Sequence, residues 1–196
     1  MKKPSIKTDN TYLGEKVILR LNHLPPGDLV RVLDAYHGEG LIWDAVRAQS
    51  ERKVEVLGID TRDTEGVVQL QGDNKKFLGE IDLSSYNVLD LDAYGVPYQA
   101  LSQALSNRTL APGTAIFLTF IQSQHGRLPP AMLQEIGYTR EMIKKIPTIF
   151  NRAGFQKFKL WLATQGIGII HYITRANKNY LYLEAPANVA HTTKSS

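Results

Sequence analysis

The 196-residue sequence contains no cysteine, which excludes disulfides, thiolate metal sites and a thiol nucleophile together. It also lacks a long apolar run. Thr114 to Ile121 is the longest nearly uncharged apolar stretch, far short of the roughly 20 residues that span a membrane, so no membrane partner is expected. The start, Met1-Lys2-Lys3-Pro4-Ser5, leads into polar residues instead of an apolar signal core, and a cytoplasmic location is expected. A phosphate loop ending in Gly-Lys-Ser/Thr is missing, which counts against a nucleoside-triphosphate enzyme. The five histidines, His23, His37, His125, His171 and His191, show neither His-x-x-x-His spacing nor a carboxylate pattern, and no metal is expected. Internal repeats and low-complexity tracts are absent too.

What is present suits one soluble core. Hydrophobic residues make up 43% of the chain, enough for a single domain over residues 1–196, with ends 1–10 and 190–196 expected to fray. The net charge is only +4, from 23 basic and 19 acidic residues, which permits a polyanionic partner without demanding one.

Strand-like and helix-like patterns alternate along the chain. Val30 to Asp34, Val54 to Asp60, a shorter run from Gly66 to Leu70, Asn87 to Asp92 and Thr114 to Phe120 read as strands. Ile42 to Lys53 and Pro97 to Leu105 read as helices between them, and Leu128 to Ile146 and Phe150 to Gln165 form a helical region within 127–165. Ile167 to Ile173 and Tyr180 to Leu183 flank the turn-prone Ala176 to Asn179 as a β-hairpin. The expected fold is α/β: a doubly wound, mostly parallel, Rossmann-like sheet closed by a C-terminal antiparallel hairpin.

The first strand-to-helix turn, Asp34-Ala35-Tyr36-His37-Gly38-Glu39-Gly40, puts two glycines where a ligand can approach backbone at a helix N-terminus. The next strand ends in Asp60, 20 residues after Gly40, where a carboxylate can accept both hydroxyls of a ribose. Trp43 stands where a dinucleotide fingerprint has its third glycine, which turns the reading away from a nicotinamide cofactor. A nucleoside site remains. His37, in the same turn, is assigned neither a base nor a metal role.

The mostly parallel sheet closed by an antiparallel hairpin and Asp34 to Gly40 together resemble class I methyltransferases, whose amino-directed members carry Asp-Pro-Phe-x-Gly-x-Gly here; Ala35 and Tyr36 replace the Pro and Phe. The segment Asn87 to Pro97 resembles the Asp-Leu-Asp-Pro-Phe-Gly-Ser-Pro motif of the tRNA guanine-N2 methyltransferases, matching at Asp92, Tyr94, Gly95 and Pro97, with Ala93 for the proline and Val96 for the serine. The resemblance runs over roughly Val30 to Glu184. It implies S-adenosylmethionine as cofactor, held by Asp34, Tyr36, Gly38, Gly40, Asp60, Asp73 and Asp90, with Asp92 and Tyr94 as the catalytic pair. Asp73 also reads as a plain turn aspartate, and Tyr94 as packing against the sheet edge.

The chemistry fits an amine. The lone pair of an exocyclic base amine is delocalised into the ring, and a carboxylate that accepts its N–H localises that pair and can take the proton. Asp90 and Asp92 share a strand face, and a metal-dependent O-methyltransferase is the competing use of such a pair. The expected partner is a nucleic acid, RNA before DNA, with a protein side chain or small molecule still open. Arg127, Arg140, Lys144, Lys145, Arg152, Lys157, Lys159, Arg175 and Lys178 would supply phosphate contacts. A non-catalytic module that holds cofactor or nucleic acid is the alternative.

Overall fold

Leu29–Asp34 forms β1 and Lys53–Asp60 forms β2, and the two pair in parallel with Val30 and Val32 against Val54 and Val56. The structure, a computed structural model, describes residues 11–61, 69–122, 127–146 and 152–187. Gly66 to Val68, His125, His191, Pro147, Phe150 and both polar ends lie outside the described residues.

Gln69–Gln71 is β3, Val88–Leu91 β4, Ala115–Ile121 β5, Ile169–Arg175 β6 and Lys178–Glu184 β7. Among the described residues these seven strands make one sheet in the order β3-β2-β1-β4-β5-β7-β6, with β7 antiparallel to both neighbours. β4 and β5 are buried at every position because helices cover both faces, which is why they read as unbroken apolar runs. The hairpin turn is two residues, Ala176 and Asn177, with Ala176 at φ 51°; Lys178 and Asn179 already belong to β7.

One face is covered by α1 (Leu13–Asn22) and α2 (Leu41–Gln49), which pack Val17, Leu19, Trp43 and Val46 on Val30, Val32, Val88 and Phe117. The other carries α3 (Asn74–Glu80), α4 (Tyr98–Ser106), α5 (Pro130–Glu135) and α7 (Gly154–Thr164), over Leu33, Leu89, Leu91, Leu118 and Phe120. Between α5 and α7 lies α6 (Arg140–Lys145). The single helix expected from Leu128 to Ile146 is thus two short ones, broken where Gly137 takes φ 96°. The expected helix to Lys53 ends at Gln49, because Lys53 pairs with Leu29 in the sheet.

The N-terminal helix is the element that sequence reading missed. Leu13, Val17, Leu21 and Leu24 carry a helical stripe, but Arg20 also lies on the inner face, 2% exposed. A buried arginine on that stripe needs a buried carboxylate partner, and the partner lies 70 residues away.

Candidate active site at the carboxyl edge of the sheet

Strand order reverses between β1 and β4, and open parallel sheets bind ligands in the crevice beyond the carboxyl ends of the strands at that point. Asp34 at the end of β1 is level with Gly58 of β2 on one side and Asp90 of β4 on the other. Asp60 and Asp92 each lie two residues further along those neighbouring strands. They therefore flank β1 at one level, two strand spacings or about 10 Å apart. A cleft of about 360 Å³, lined by Leu29, Arg31, Tyr86, Asn87, Pro112 and Thr114, opens at the opposite, amino edge, where strand ends offer no such crevice.

The glycine turn is held by the carboxylates at its base. Asp34 Oδ1 accepts from the Tyr36 N–H at 3.1 Å, and Asp34 Oδ2 lies 3.0 Å from His37 Nδ1. Asp60 Oδ2 accepts from the Gly38 N–H at 2.8 Å, and the His37 N–H reaches Ile59 O at 3.1 Å. Gly38 and Gly40 take φ 56° and 73°, a left-handed path costly for other residues, and Gly40 caps α2. A Cβ on Gly58 would lie 2.3 Å from His37 Cγ, so the bare backbone of β2 makes room for the ring. Asp34 acts first on the loop itself, and His37 is part of its frame.

The hydrogen bond to Asp34 raises the His37 pKa above the ordinary 6.5, outweighing burial, which opposes it. A raised folded-state value means that this contact stabilises fully below pH 6.5 and fades as pH climbs through the folded value. An NMR titration of His37 is expected to show that elevated pKa in the native protein and its return toward 6.5 in Asp34→Asn.

Tyr36 is half-buried against the α3 side of the core, its phenol pKa raised by burial, beside Asn74. Asp73 accepts from the Lys75 N–H at 3.0 Å and caps α3, which is the turn role.

Asp90 is placed differently from the expectation for a cofactor contact. It is 1% exposed, faces α1 and α2, and accepts from Arg20 Nε and Nη2 and from Trp43 Nε1, each at 2.7 Å. Burial, opposed by Arg20, leaves its carboxyl raised to about 6, and the two N–H donors of Arg20 make it one half of a fork-shaped ion pair. At 1% exposure and with three of its acceptor positions taken, it serves the helix-to-sheet ion pair instead of facing the crevice. Trp43, standing where a fingerprint glycine would be, supplies the third donor and packs at 6.3 Å from Phe117.

Asp92 sits just beyond β4, with its side chain 8% exposed. Lys16 Nζ donates to Oδ2 at 2.6 Å, and the Thr119 hydroxyl of β5 donates to Oδ1. A carboxylate has about four acceptor positions, so two remain besides those that Lys16 and Thr119 occupy. The Ala93 N–H donates to Leu91 O at 2.7 Å, a bond that a proline could not make; the substitution exchanges a fixed φ for a hydrogen bond. The Ile121 N–H ties Gly95 O to β5 at 2.7 Å. Tyr94 does not pack on the sheet edge: it is 81% exposed.

No family model matches the sequence, and no curated protein matches it. Solved structures do. Trm1 from Pyrococcus horikoshii, in complex with S-adenosyl-L-methionine, is 17% identical at TM-score 0.56, and the match covers 97% of this chain and 60% of that one. The candidate methyltransferase yhhF of Escherichia coli is 12% identical at TM-score 0.56, over 93% of this chain and 90% of the other. A candidate rRNA methylase from Clostridium thermocellum is 14% identical at TM-score 0.50, over 88% and 96%. The chain has the class I methyltransferase fold. Within that fold, Lys16, Arg20, Trp43 and Thr119 are the residues that sequence reading overlooked, and all four act through Asp90 or Asp92.

Proposed function

We propose that this chain is an S-adenosylmethionine-dependent methyltransferase that acts on an exocyclic amine of a nucleic-acid base, with RNA ahead of DNA. The observation that carries the reading is the level placement of Asp60 and Asp92 on either side of the strand-order reversal. The donor set fits the cofactor: a carboxylate at the rim for a ribose diol, a left-handed glycine turn for close approach, and an aromatic wall at Tyr36. Trm1, solved with that molecule on the same fold, supports the cofactor, and the candidate rRNA methylase supports an RNA substrate.

Bound S-adenosylmethionine supplies an already activated methyl group. Alignment and proton handling are then the protein's share, and a misplacement of about 1 Å can cost roughly 10²-fold. Asp60 and the Gly38–Gly40 turn hold the nucleoside, Asp73 borders the adenine side, and Asp34 keeps the turn in shape. Asp92 accepts the amine N–H and receives its proton, while Tyr94 stacks on the base and fixes its plane.

A second reading has one observation in its favour: Asp92 is already engaged by Lys16 and Thr119, as suits a module that binds without turnover. Cofactor binding is common to both readings and is tested first. S-adenosylhomocysteine at 100 times its Kd is expected to add about 2.7 kcal/mol of stability, a rise in Tm of roughly 5–10 °C. Asp60→Ala is expected to weaken that binding about 10- to 150-fold, the value of hydrogen bonds to a charged group. No shift in the unaltered protein would overturn the cofactor assignment.

A further inference from the structure

From Met142 to Leu183 the chain carries seven lysines and arginines and no acidic residue, while the whole molecule has a net charge of only +4. The remaining sequence therefore holds three more carboxylates than cations, and the net positive charge comes from this span. Two of its elements, α7 and β6, meet in an aromatic and cationic surface. The Phe155 and Tyr172 rings lie edge to face with centroids 5.5 Å apart, and Lys159 Nζ stands 5.2 Å from the first and 5.9 Å from the second. Phe155 is anchored beneath by Phe120 at 5.4 Å. Tyr172 is 46% exposed on an edge strand, and Ile170 beside it is exposed at the β-bulge.

The register relates this surface to the crevice. Tyr172 is level with Leu181, Leu181 with Leu118, and Leu118 with Leu91, the residue before Asp92. Three strand spacings, about 14 Å, separate Tyr172 from the end of β4, a reach of a few nucleotides. On the opposite face of β6, Arg175 is paired with Glu15 of α1 and His171 with His23, whereas on the side toward α7 Lys159 stands beside Tyr172 and the Glu135 carboxylate packed against α7 is held by Tyr98 and Trp161.

We infer that the α7–β6 surface holds single-stranded RNA flanking the methylated base, one base stacked on Tyr172 and a phosphate on Lys159. The inference deepens the nucleic-acid reading above and rests on it for the choice of RNA. Its occupant follows from chemistry: an acidic peptide would meet the cations, but only a base brings a flat π-face to an exposed tyrosine already braced by a cation. A strand that crosses this surface and turns over the carboxyl edge would bring a base to Tyr94 and Asp92.

The test uses the full chain and a fluorescein-labelled ten-nucleotide oligouridine, read by anisotropy without cofactor. Tyr172→Ala is expected to weaken binding about 5- to 150-fold, the contribution of one stacked base, and Tyr172→Phe to restore it. Lys159→Gln is expected to flatten the dependence of log K on log salt by about 0.7, the single-strand value for one phosphate. The S-adenosylhomocysteine shift, unchanged in all three variants, shows that they fold and separates failure of this surface from failure of the cofactor site. Absence of oligouridine binding, or equal binding by Tyr172→Ala, overturns the proposal. A tighter complex with decathymidine overturns the assignment to RNA. Self-association lost in Tyr172→Ala while oligouridine binding persists makes the surface a protein interface and overturns it as well.

Discussion

Asp90→Ala is expected to destabilise the fold by about 3–5 kcal/mol, lowering Tm by roughly 6–20 °C in thermal or denaturant unfolding. The size follows from what stays behind. Arg20 is buried, and Asp90 is its bidentate partner; without the carboxylate a guanidinium remains charged inside the protein, left with the Lys16 carbonyl 2.9 Å from Nη1 and the Trp43 and Phe117 rings at 5.8 and 5.3 Å. The Trp43 N–H loses its acceptor at the same time. Arg20→Met is expected to cost a similar amount, because it leaves the carboxylate buried with one donor. The double variant Arg20→Met/Asp90→Leu, which removes both charges, is expected to be more stable than either single variant, as replacement of a whole buried pair tends to be. Additive losses, or a cost for Asp90→Ala below about 1 kcal/mol, would refute the idea that this pair fastens α1 to the sheet.

The same pair marks the limit of what could be read from the sequence. The mostly parallel sheet with its closing hairpin was legible because β4 and β5 are covered on both faces and must be apolar throughout, and because the hairpin has a turn signal at Ala176-Asn177. The places of Asp34 and Asp60 at strand ends and of Asp92 just past one were legible because the apolar runs stop there, at the carboxyl edge of the sheet. Asp90 was not, for two carboxylates two apart on one strand share a face and look alike in sequence. Their different fates are decided by α1 and α2, whose Arg20 and Trp43 reach Asp90 while Lys16 reaches the rim at Asp92. Pattern reading has no access to pairings over 70 residues, and α1 lacked a cap that would announce it: Tyr12 before it takes φ 64° and makes no side-chain cap. The break at Gly137 was available in the sequence, since a lone glycine in a helical pattern lowers its helix propensity.

Asp92→Ala is expected to lower kcat for methyl transfer to total RNA from labelled S-adenosylmethionine by 10²–10⁴-fold, the usual worth of a positioned base. Asp92→Asn, which keeps a hydrogen-bond acceptor but cannot take a proton, is expected to fall between that variant and the native protein. The loss should lie in kcat with the S-adenosylhomocysteine shift preserved, because the glycine turn follows β1 and Asp60 ends β2, one and two strands away from Asp92. Thr119→Val gives the complementary result. It removes one of the two donors that orient Asp92 without touching the carboxylate, so kcat is expected to drop about 10- to 100-fold through misalignment alone. The Lys16 ammonium, bonded to the other oxygen, lies on a helix end and can turn to water when Asp92 is gone, so Asp92→Ala should cost far less stability than Asp90→Ala. That contrast separates the two aspartates: one change lowers stability and leaves the rim carboxylate in place, the other slows transfer in a folded chain. If Asp92→Ala transfers methyl groups within about threefold of the native rate, the carboxylate is not the acceptor; if the native protein binds S-adenosylhomocysteine and methylates nothing, Lys16 and Thr119 hold Asp92 in a module that binds without turnover.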